Sequence, residues 1–193
     1  MNDIVLENVS KTFDDQIVWD KLSYTFRAGE IYCIEGSSGR GKTTLLQMIA
    51  GLIPPDSGTI TGVPQRLAFV FQEDRLCEDF SARSNIHLVC GNSKSKEEIA
   101  AHLEELKLDT SSKKPVRTFS GGMKRRVSIA RAICYDADCI LLDEPFQGLD
   151  AKLKHTVMDY VLRHTKGKTV LCVTHDASEA EYLGGIRIAF PQK

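Results

Sequence analysis

The sequence lacks a long hydrophobic run, a marked excess of charge of either sign, and a C-x-x-C pair. Its densest apolar stretches, such as residues 140–142 and 67–71, have the length of a strand, so no membrane-spanning helix is predicted. The net charge is -1, which excludes a globally basic nucleic-acid coat but not a local basic patch. We predict no nucleic-acid partner. The first residues show no basic region followed by an apolar one, so no signal peptide is expected.

The six cysteines do not form a disulfide pattern. Cys33 and Cys172 lie inside apolar, strand-like runs, where a thiol packs as a small hydrophobic group. The spacing therefore favours reduced thiols in a cytosolic protein. With 193 residues, of which 42% are hydrophobic and 26% charged, the chain has the size and composition of a single globular domain.

The order of apolar segments predicts an α/β fold. Residues 4–26 indicate short antiparallel strands with a polar turn at Asp14 and Asp15. After them, strand-like runs alternate with helical patterns, which implies right-handed crossovers and a mainly parallel sheet. The intervening section is polar and contains helical patterns at 96–107 and after Gly122. We therefore predict one domain, 1–193, with a helical subdomain inserted at approximately 73–135.

A glycine-rich segment follows the predicted strand at residues 31–34. It fits the pattern G-x-x-x-x-G-K-[ST], for which a chance match is on the order of 1% in a chain of this length. Glycines let backbone N–H groups approach phosphate oxygens, and the N-terminus of the next helix favours an anion. Lys42 is placed for the β- and γ-phosphates of ATP, and the Thr43 hydroxyl for Mg²⁺. The predicted nucleotide-binding residues here are Gly36, Ser37, Ser38, Gly39, Arg40, Gly41, Lys42, Thr43 and Thr44.

Polar side chains also follow three other predicted strands. Asp143 and Glu144 end the strand at 140–142, where Asp143 can hold Mg²⁺ and Glu144 can polarise the attacking water. His175 follows the strand at 169–173 and can bond the γ-phosphate or orient the water. Gln72 closes the strand at 67–71 in the same fashion. These residues predict ATP hydrolysis.

The motifs, in this order, resemble the ATP-binding cassette (ABC) ATPases over nearly the whole chain. The deciding segment is Phe119-Ser120-Gly121-Gly122-Met123 with the basic stretch after it, which resembles the family signature Leu-Ser-Gly-Gly-Gln. The resemblance implies an α/β P-loop NTPase fold of ABC type and a dimer with ATP between its subunits. Ser120, Gly121, Gly122 and Asp150 would contact the nucleotide of the partner.

The resemblance also implies roles for single residues. Phe13 would stack on adenine, with Trp19 as a second candidate, although either residue could simply belong to the core. Gln72 would touch Mg²⁺ or water, and His175 would act as the switch histidine. Phe119 and Met123 depart from the usual Leu and Gln, but neither supplies the Ser-Gly-Gly contact, so activity is expected.

The resemblance further implies the ATP-hydrolysing subunit of a bacterial transporter, at the inner face of the cell membrane and bound to separate permease subunits. Residues 71–76 and 174–180 resemble the nitrate, sulfonate and taurine importers, so import is the expected direction. Phe80, Ile86 and Leu88 are candidate permease contacts or core residues.

Several alternatives stay open. They are a non-transport soluble ABC-type ATPase, a catalytically impaired nucleotide-binding subunit, and a P-loop kinase or GTPase. The intact Lys42, Asp143, Glu144 and His175 argue against the impaired subunit. The lack of an Asn-Lys-x-Asp guanine motif argues against a GTPase.

Overall fold

The structure is a computed structural model that describes residues 2–37, 39 and 41–189. The strands are β1 (Ile4–Phe13), β2 (Gln16–Phe26), β3 (Ile31–Glu35), β4 (Ser57–Thr61), β5 (Leu67–Val70), β6 (Cys139–Asp143), β7 (Thr169–Thr174) and β8 (Ile186–Ala189). The helices are α1 (Lys42–Ile49), α2 (Ala82–Cys90), α3 (Lys96–Glu105), α4 (Gly121–Cys134), α5 (Ala151–His164) and α6 (Ala177–Leu183). The chain forms two compact units. The first comprises the described residues of Met1–Phe69, Asp138–Asp143 and Gly167–Lys193, and the second comprises Val70–Ala137 and Glu144–Lys166.

The first unit contains a small antiparallel sheet in the order β2-β1-β4. Strands β1 and β2 form a hairpin whose turn holds Asp14 and Asp15 at φ 45° and 63°. Asp tolerates this left-handed region better than most residues, so the turn agrees with the polar pair in the sequence. The predicted N-terminal antiparallel strands are therefore confirmed. Strand β4, in which Ile60 is the partly buried apolar residue, was not predicted.

The second sheet of this unit has five strands in the order β5-β6-β7-β3-β8. The pairs β3·β7, β3·β8 and β6·β7 are parallel, as predicted. Glu35 at the end of β3 is level with Thr174 at the end of β7, and Asp143 at the end of β6 is level with Val173. The segments that follow β3, β6 and β7 consequently leave the sheet at the same edge, where ligands bind in open parallel sheets.

The core of the first unit lies on one face of the five-stranded sheet. Tyr32 and Ile34 of β3 point to that face, where they join a buried cluster with Leu45 of α1 and with residues of β1 and β2. Successive strand residues alternate between faces, so Cys33 points to the opposite side. Its Sγ lies 3.9 Å from the carbonyl oxygen of Ala180 in α6. Helices α1 and α6 thus cover opposite faces of the sheet.

The second unit is built mainly of helices, with α4 in contact with α2, α3 and α5. Ser81 caps α2, and Ser95 and Glu98 form a reciprocal capping box at the start of α3. Helix α2 was not predicted, although Ala82, Ile86 and Cys90 are buried at a spacing of four residues. The Ile86 side chain is fully buried, so it belongs to the core and is not a permease contact.

A buried amide fixes the loop before α2. Asn85 is 0% exposed, and its Oδ1 accepts a hydrogen bond of 2.8 Å from the Cys77 amide. Its Nδ2 donates to the carbonyl oxygens of Cys77 and Ser81, each at 3.1 Å. The burial of a polar group is stabilising only when its hydrogen bonds are satisfied, and these bonds tie residues 77–81 to the first turn of α2.

Two further expectations concern the helices and the cysteines. Among the described residues, each helix is too short or too polar to cross a lipid bilayer. All six cysteines are thiols, of which five are buried and Cys77 is exposed.

Candidate nucleotide-binding site

The glycine-rich segment connects β3 to α1, as its motif requires. Lys42 is the first residue of α1 and is only 7% exposed. Its Nζ donates hydrogen bonds to the carbonyl oxygens of Gly36 at 2.7 Å and Ser37 at 2.9 Å. The ammonium group is therefore held inside the loop that precedes it, at the N-terminus of a helix, where an anion is favoured. Ser38 and Arg40, two predicted phosphate contacts, lie outside the described residues.

Gly41 is packed against the β2 strand. Its φ is 74°, in the left-handed region that favours glycine, and a Cβ there would lie 2.2 Å from Val18 Cγ1 and 2.9 Å from Trp19 Nε1. The Trp19 indole N–H donates to the Gly41 carbonyl oxygen at 2.9 Å. Trp19 is 7% exposed and belongs to the core, so its role is to support the loop.

Gly41→Ala is expected to lower the free energy of unfolding by about 2–5 kcal/mol, since it adds left-handed strain to a steric clash. Urea unfolding without nucleotide measures this loss. Gly39→Ala is the matched control, because Gly39 has φ 80° but nothing within 4 Å of its Cβ position. The control should lose only the conformational part, about 1–2 kcal/mol. Equal losses in the two variants would contradict the role of the contact with Val18 and Trp19.

The two candidate adenine contacts differ in exposure. Phe13 ends β1 and is 45% exposed, whereas Trp19 is buried. The Lys11 Nζ lies 5.3 Å from the centroid of the Phe13 ring, which leaves one aromatic ring at the surface beside a cation. Of the two, only Phe13 has a ring accessible for stacking on a base.

Oxygen ligands suited to Mg²⁺ lie at the ends of α1 and β6 in the first unit. Thr43 is the second residue of α1, and Asp143 ends β6 and is 1% exposed. A hydroxyl and a carboxylate are hard oxygen donors, which Mg²⁺ prefers, so their chemistry fits this ion. The exposed His175 follows β7 at the same edge of the sheet as Asp143.

Glu144 adopts an unusual backbone conformation. It directly follows Asp143, is 9% exposed, and has φ 47°, in the left-handed region that non-glycine residues avoid. Such a conformation costs on the order of 1–3 kcal/mol and is concentrated at functional sites. No feature of the sequence indicated it. The turn changes the chain direction immediately after β6 and sets the position of the Glu144 carboxylate.

In the second unit, the signature segment forms the start of α4. Ser120 is the N-cap, and its hydroxyl accepts a hydrogen bond of 3.3 Å from the Met123 amide. Ser120 and Gly121 are exposed, and a Cβ on Gly121 would meet nothing within 4 Å. A Cβ on Gly122 would lie 3.3 Å from Leu149 Cδ2. The end of α4 is thus open at its first residues and closely packed behind them.

Asp150 and Gln72 are also exposed residues of the second unit. Asp150 caps α5, with its Oδ1 accepting a hydrogen bond of 3.0 Å from the Leu153 amide. Gln72 lies just beyond β5. Each side chain is therefore at the surface, at the end of a regular element.

Sequence reasoning missed a set of side chains on α4 that bind the segment around Gln72. Arg125, 6% exposed, donates to the carbonyl oxygens of Phe71, at 2.6 Å, and Gln72. The Ser128 hydroxyl donates to the Asp74 carbonyl oxygen at 2.8 Å. Their spacing puts these groups on one face of α4, so the helix that begins with the signature also fixes the backbone of Gln72. The sequence showed only a basic stretch after the signature, which does not reveal this contact.

Asp74 adds a carboxylate to this contact. Its Oδ1 lies 3.4 Å from Arg125 Nε, and the side chain is 20% exposed. Burial raises the pKa of the Asp74 carboxyl, and the positive charge of Arg125 partly opposes that shift. The pair therefore stabilises the segment only while Asp74 is ionised.

Arg126, the next residue of α4, connects the first turn of this helix to the residues that follow α3. It is 7% exposed, and its Nε donates to the Gly122 carbonyl oxygen at 3.0 Å. Its guanidinium also donates to the carbonyl oxygens of Leu106 and Lys107 at 2.8 and 3.0 Å. The first turn of α4 is thus held in place by buried arginine hydrogen bonds.

Comparison with known proteins identifies the family. A family model described as "ABC transporter" matches residues 19–147. Similar curated proteins include the Nod factor export ATP-binding protein I of Burkholderia lata, 41% identical over 93% of this chain and 65% of its own length. That of Sinorhizobium fredii is 37% identical over 93% of this chain and 57% of its own length. The chain thus spans less than two thirds of the length of these relatives.

A solved structure agrees with this match. The ATP-binding cassette MJ0796, in a dimeric post-hydrolysis state bound to ADP and Pi, superposes with a TM-score of 0.85 at 27% identity, over 97% of this chain and 94% of that one. The similarity confirms the predicted P-loop fold of ABC type. The chain belongs to the ABC transporter family.

Proposed function

We propose that this chain is the ATP-binding and ATP-hydrolysing subunit of a membrane transporter. The observation that carries the proposal is the loop between β3 and α1, in which the Lys42 ammonium is held by the carbonyl oxygens of Gly36 and Ser37 at the N-terminus of a helix. A positive group in a glycine-rich cradle suits the phosphates of a nucleotide. The similar cassette MJ0796 is described as bound to ADP and Pi, which supports the same ligand here.

The chemistry proposed is attack of water on the γ-phosphorus of ATP. Glu144 accepts a proton from the water as the new P–O bond forms, while the bond between the γ-phosphorus and the bridging oxygen breaks and ADP leaves. Lys42 stabilises the charge on the phosphate oxygens, and His175 orients the γ-phosphate or the water. Thr43, Asp143 and Gln72 would hold Mg²⁺, which when bound would neutralise charge on the β- and γ-phosphates.

The active unit in this proposal is a pair of chains. Ser120, Gly121, Gly122 and Asp150 would meet the nucleotide held by the second copy or by a homologous subunit. The Ser120-capped start of α4 supports this role, because its first residues are exposed and the helix N-terminus carries the positive end of the helix dipole. The dimeric state described for MJ0796 supports it independently. ATP would join the two chains, and hydrolysis would weaken the contact.

Transport requires permease subunits, which would place the chain at the inner face of the cell membrane. The exposed apolar side chains of Phe80, Leu88 and Val89 in the second unit are candidate contacts, with 46%, 56% and 38% of their surface accessible. They belong to the segment 73–135 that we propose as the helical subdomain. Isolation of the native complex from membranes with this chain as bait would identify the permease.

The direction of transport has two candidates. The likeness of residues 71–76 and 174–180 to importers predicts import. The curated relatives carry the name Nod factor export ATP-binding protein, which favours export. Uptake and efflux assays in membrane vesicles with the co-purified permease would distinguish the two directions. Transport that persists without ATP would contradict ATP-driven transport in either direction.

Sedimentation tests the proposed pairing. Glu144→Gln with ATP and Mg²⁺ is expected to shift from monomer to dimer, because the nucleotide that joins the chains is no longer consumed. Adding Ser120→Asp should abolish the shift, since Asp also caps a helix well but places a carboxylate against the phosphate.

Ser81→Asp in the Glu144→Gln chain is the matched control for a charge at an N-cap, because Ser81 caps α2 instead of α4. It should dimerise like the Glu144→Gln parent. Equal dimerisation of all three variants would contradict the assigned contact of Ser120, and no dimer in any would contradict pairing by ATP alone.

A further inference from the structure

A cluster of metal-ligating side chains lies in the second unit and includes none of the residues assigned above. His102 and Glu105 are one turn apart on α3, and His164 is the last residue of α5. Each offers a ligand atom, and these atoms lie within 4.8 Å of one another. The His164 Nε2 is 3.1 Å from Glu105 Oε2, and the centroids of the two imidazole rings are 4.8 Å apart.

We propose that His102, Glu105 and His164 bind a divalent transition-metal ion, with Zn²⁺ as the best fit. Imidazole nitrogens and a carboxylate oxygen are zinc ligands at about 2.0–2.2 Å, which places neighbouring ligands about 3.4 Å apart in a tetrahedron. The ligand atoms must therefore approach by no more than about 1.5 Å. The His164 and Glu105 side chains are 25% and 32% exposed, so rotation about their side-chain bonds can supply this movement.

The hydrogen bonding of His102 suits a metal ligand. Its Nδ1 lies 2.9 Å from the hydroxyl oxygen of Tyr160, a residue of α5 that is 1% exposed. When Nδ1–H donates to that oxygen, Nε2 carries the lone pair. A hydrogen bond from the second ring nitrogen is the usual support of a metal-bound histidine.

Arg163 competes with a metal ion for Glu105, and a cavity borders the cluster. Arg163 forms an ion pair with Glu105, but its side chain is 58% exposed and can move into solvent when a metal arrives. A cavity of about 280 Å³ borders the cluster at Glu105, Tyr160 and Arg163, so the Glu105 carboxylate can be reached from that side. The bound ion would join the end of α5 to α3.

This site differs in chemistry from the proposed Mg²⁺ position. Mg²⁺ prefers oxygen ligands, whereas two imidazoles favour zinc and other transition metals. In nucleotide-free protein with excess Mg²⁺, the histidine cluster should therefore remain available to Zn²⁺. The inference does not depend on ATP hydrolysis, and its failure would leave the proposed function intact.

The test is calorimetric titration of the full, nucleotide-free chain with Zn²⁺ in buffer containing Mg²⁺. A Cys77→Ser parent is used, because Cys77 is an exposed thiol that could bind zinc itself. The parent is expected to bind one zinc ion per chain. His102→Ala and His164→Ala should each weaken binding tenfold or more, and Tyr160→Phe should weaken it about 10- to 100-fold. Arg163→Gln should tighten binding, since it frees the Glu105 carboxylate.

His87→Ala is the matched control, because His87 is an exposed histidine of α2 outside the cluster. It should bind zinc like the parent. His102→Gln, His164→Gln and Glu105→Gln serve if an alanine variant unfolds, as judged by circular dichroism. Co²⁺ provides a second readout, since its visible absorption bands should appear in the parent and disappear in the histidine variants.

Two results would overturn the inference. One is a parent that takes up no zinc at micromolar concentration. The other is zinc binding that both histidine variants retain at the parent's affinity.

Discussion

Glu144→Gln is expected to lower ATP hydrolysis by about 10²-fold or more while ATP binding stays close to that of the parent. Glutamine keeps the size of the side chain and a hydrogen-bonding oxygen, but its amide cannot accept a proton from the attacking water. A loss of this size corresponds to about 2.7 kcal/mol of transition-state stabilisation. Phosphate release under steady state and equilibrium binding of a fluorescent ATP analogue measure the two quantities.

The control for this variant is Glu97→Gln, the same substitution at an exposed position in the first turn of α3. It should hydrolyse ATP at the parent rate. Turnover of Glu144→Gln close to that of the parent would remove Glu144 from the role of base. A joint loss of binding and turnover would instead indicate that the strained turn at φ 47° had been disturbed.

The fold could be predicted where apolar residues recur with a clear period. The core strands β3, β6 and β7 are short apolar runs between turn residues, and helix α3 has both a capping box and an apolar face. Strand β4 was missed because its residues are mostly exposed at the edge of a small sheet, where pairing with β1 determines the structure. Tertiary contacts rather than local composition select such a strand.

The candidate site was predictable where its chemistry requires a fixed residue at a fixed spacing. The glycine-rich loop with Lys42 is such a case, because phosphate binding dictates both the residue types and their order. The support given by Arg125 and Ser128 could not be read in the same way, because they bind backbone carbonyl oxygens of residues 71–74, more than fifty positions away in the chain. The sequence does not show which backbone carbonyl oxygens accept hydrogen bonds from side chains.

The left-handed conformation of Glu144 is another feature that could not be predicted from the sequence. A glycine at this position would indicate a left-handed turn. A glutamate does not, because it is placed there for the chemistry of its carboxylate and not for its backbone preference. The roles of Gln72, His175, Ser120 and Asp150 stay predictions, as does the helical subdomain at 73–135. The exposure of these four side chains and the capping geometry of Ser120 and Asp150 are compatible with those roles, and Ser120→Asp tests the role of Ser120.

Lys42→Ala is expected to weaken ATP binding by roughly 10- to 100-fold and to reduce hydrolysis at least as strongly. The ammonium group makes two hydrogen bonds within the loop at 2.7 and 2.9 Å, and it must exchange these carbonyl partners for phosphate oxygens when ATP binds. A hydrogen bond to a charged group contributes about 1.5–3 kcal/mol, and about 1.4 kcal/mol changes affinity tenfold. Titration with a fluorescent ATP analogue measures the loss.

Two comparisons separate the phosphate contact from loop structure. Lys113→Ala removes an exposed lysine and should bind ATP like the parent. Lys42→Arg keeps the charge but replaces a compact ammonium group by a planar guanidinium. Because Lys42 is only 7% exposed, its surroundings leave little room for the larger group, so this variant should restore little affinity. Urea unfolding without nucleotide reports any loss of the loop itself. If Lys42→Ala kept the parent affinity for ATP, the cradle between β3 and α1 would not be the phosphate site, because no neutral side chain can replace its charge there.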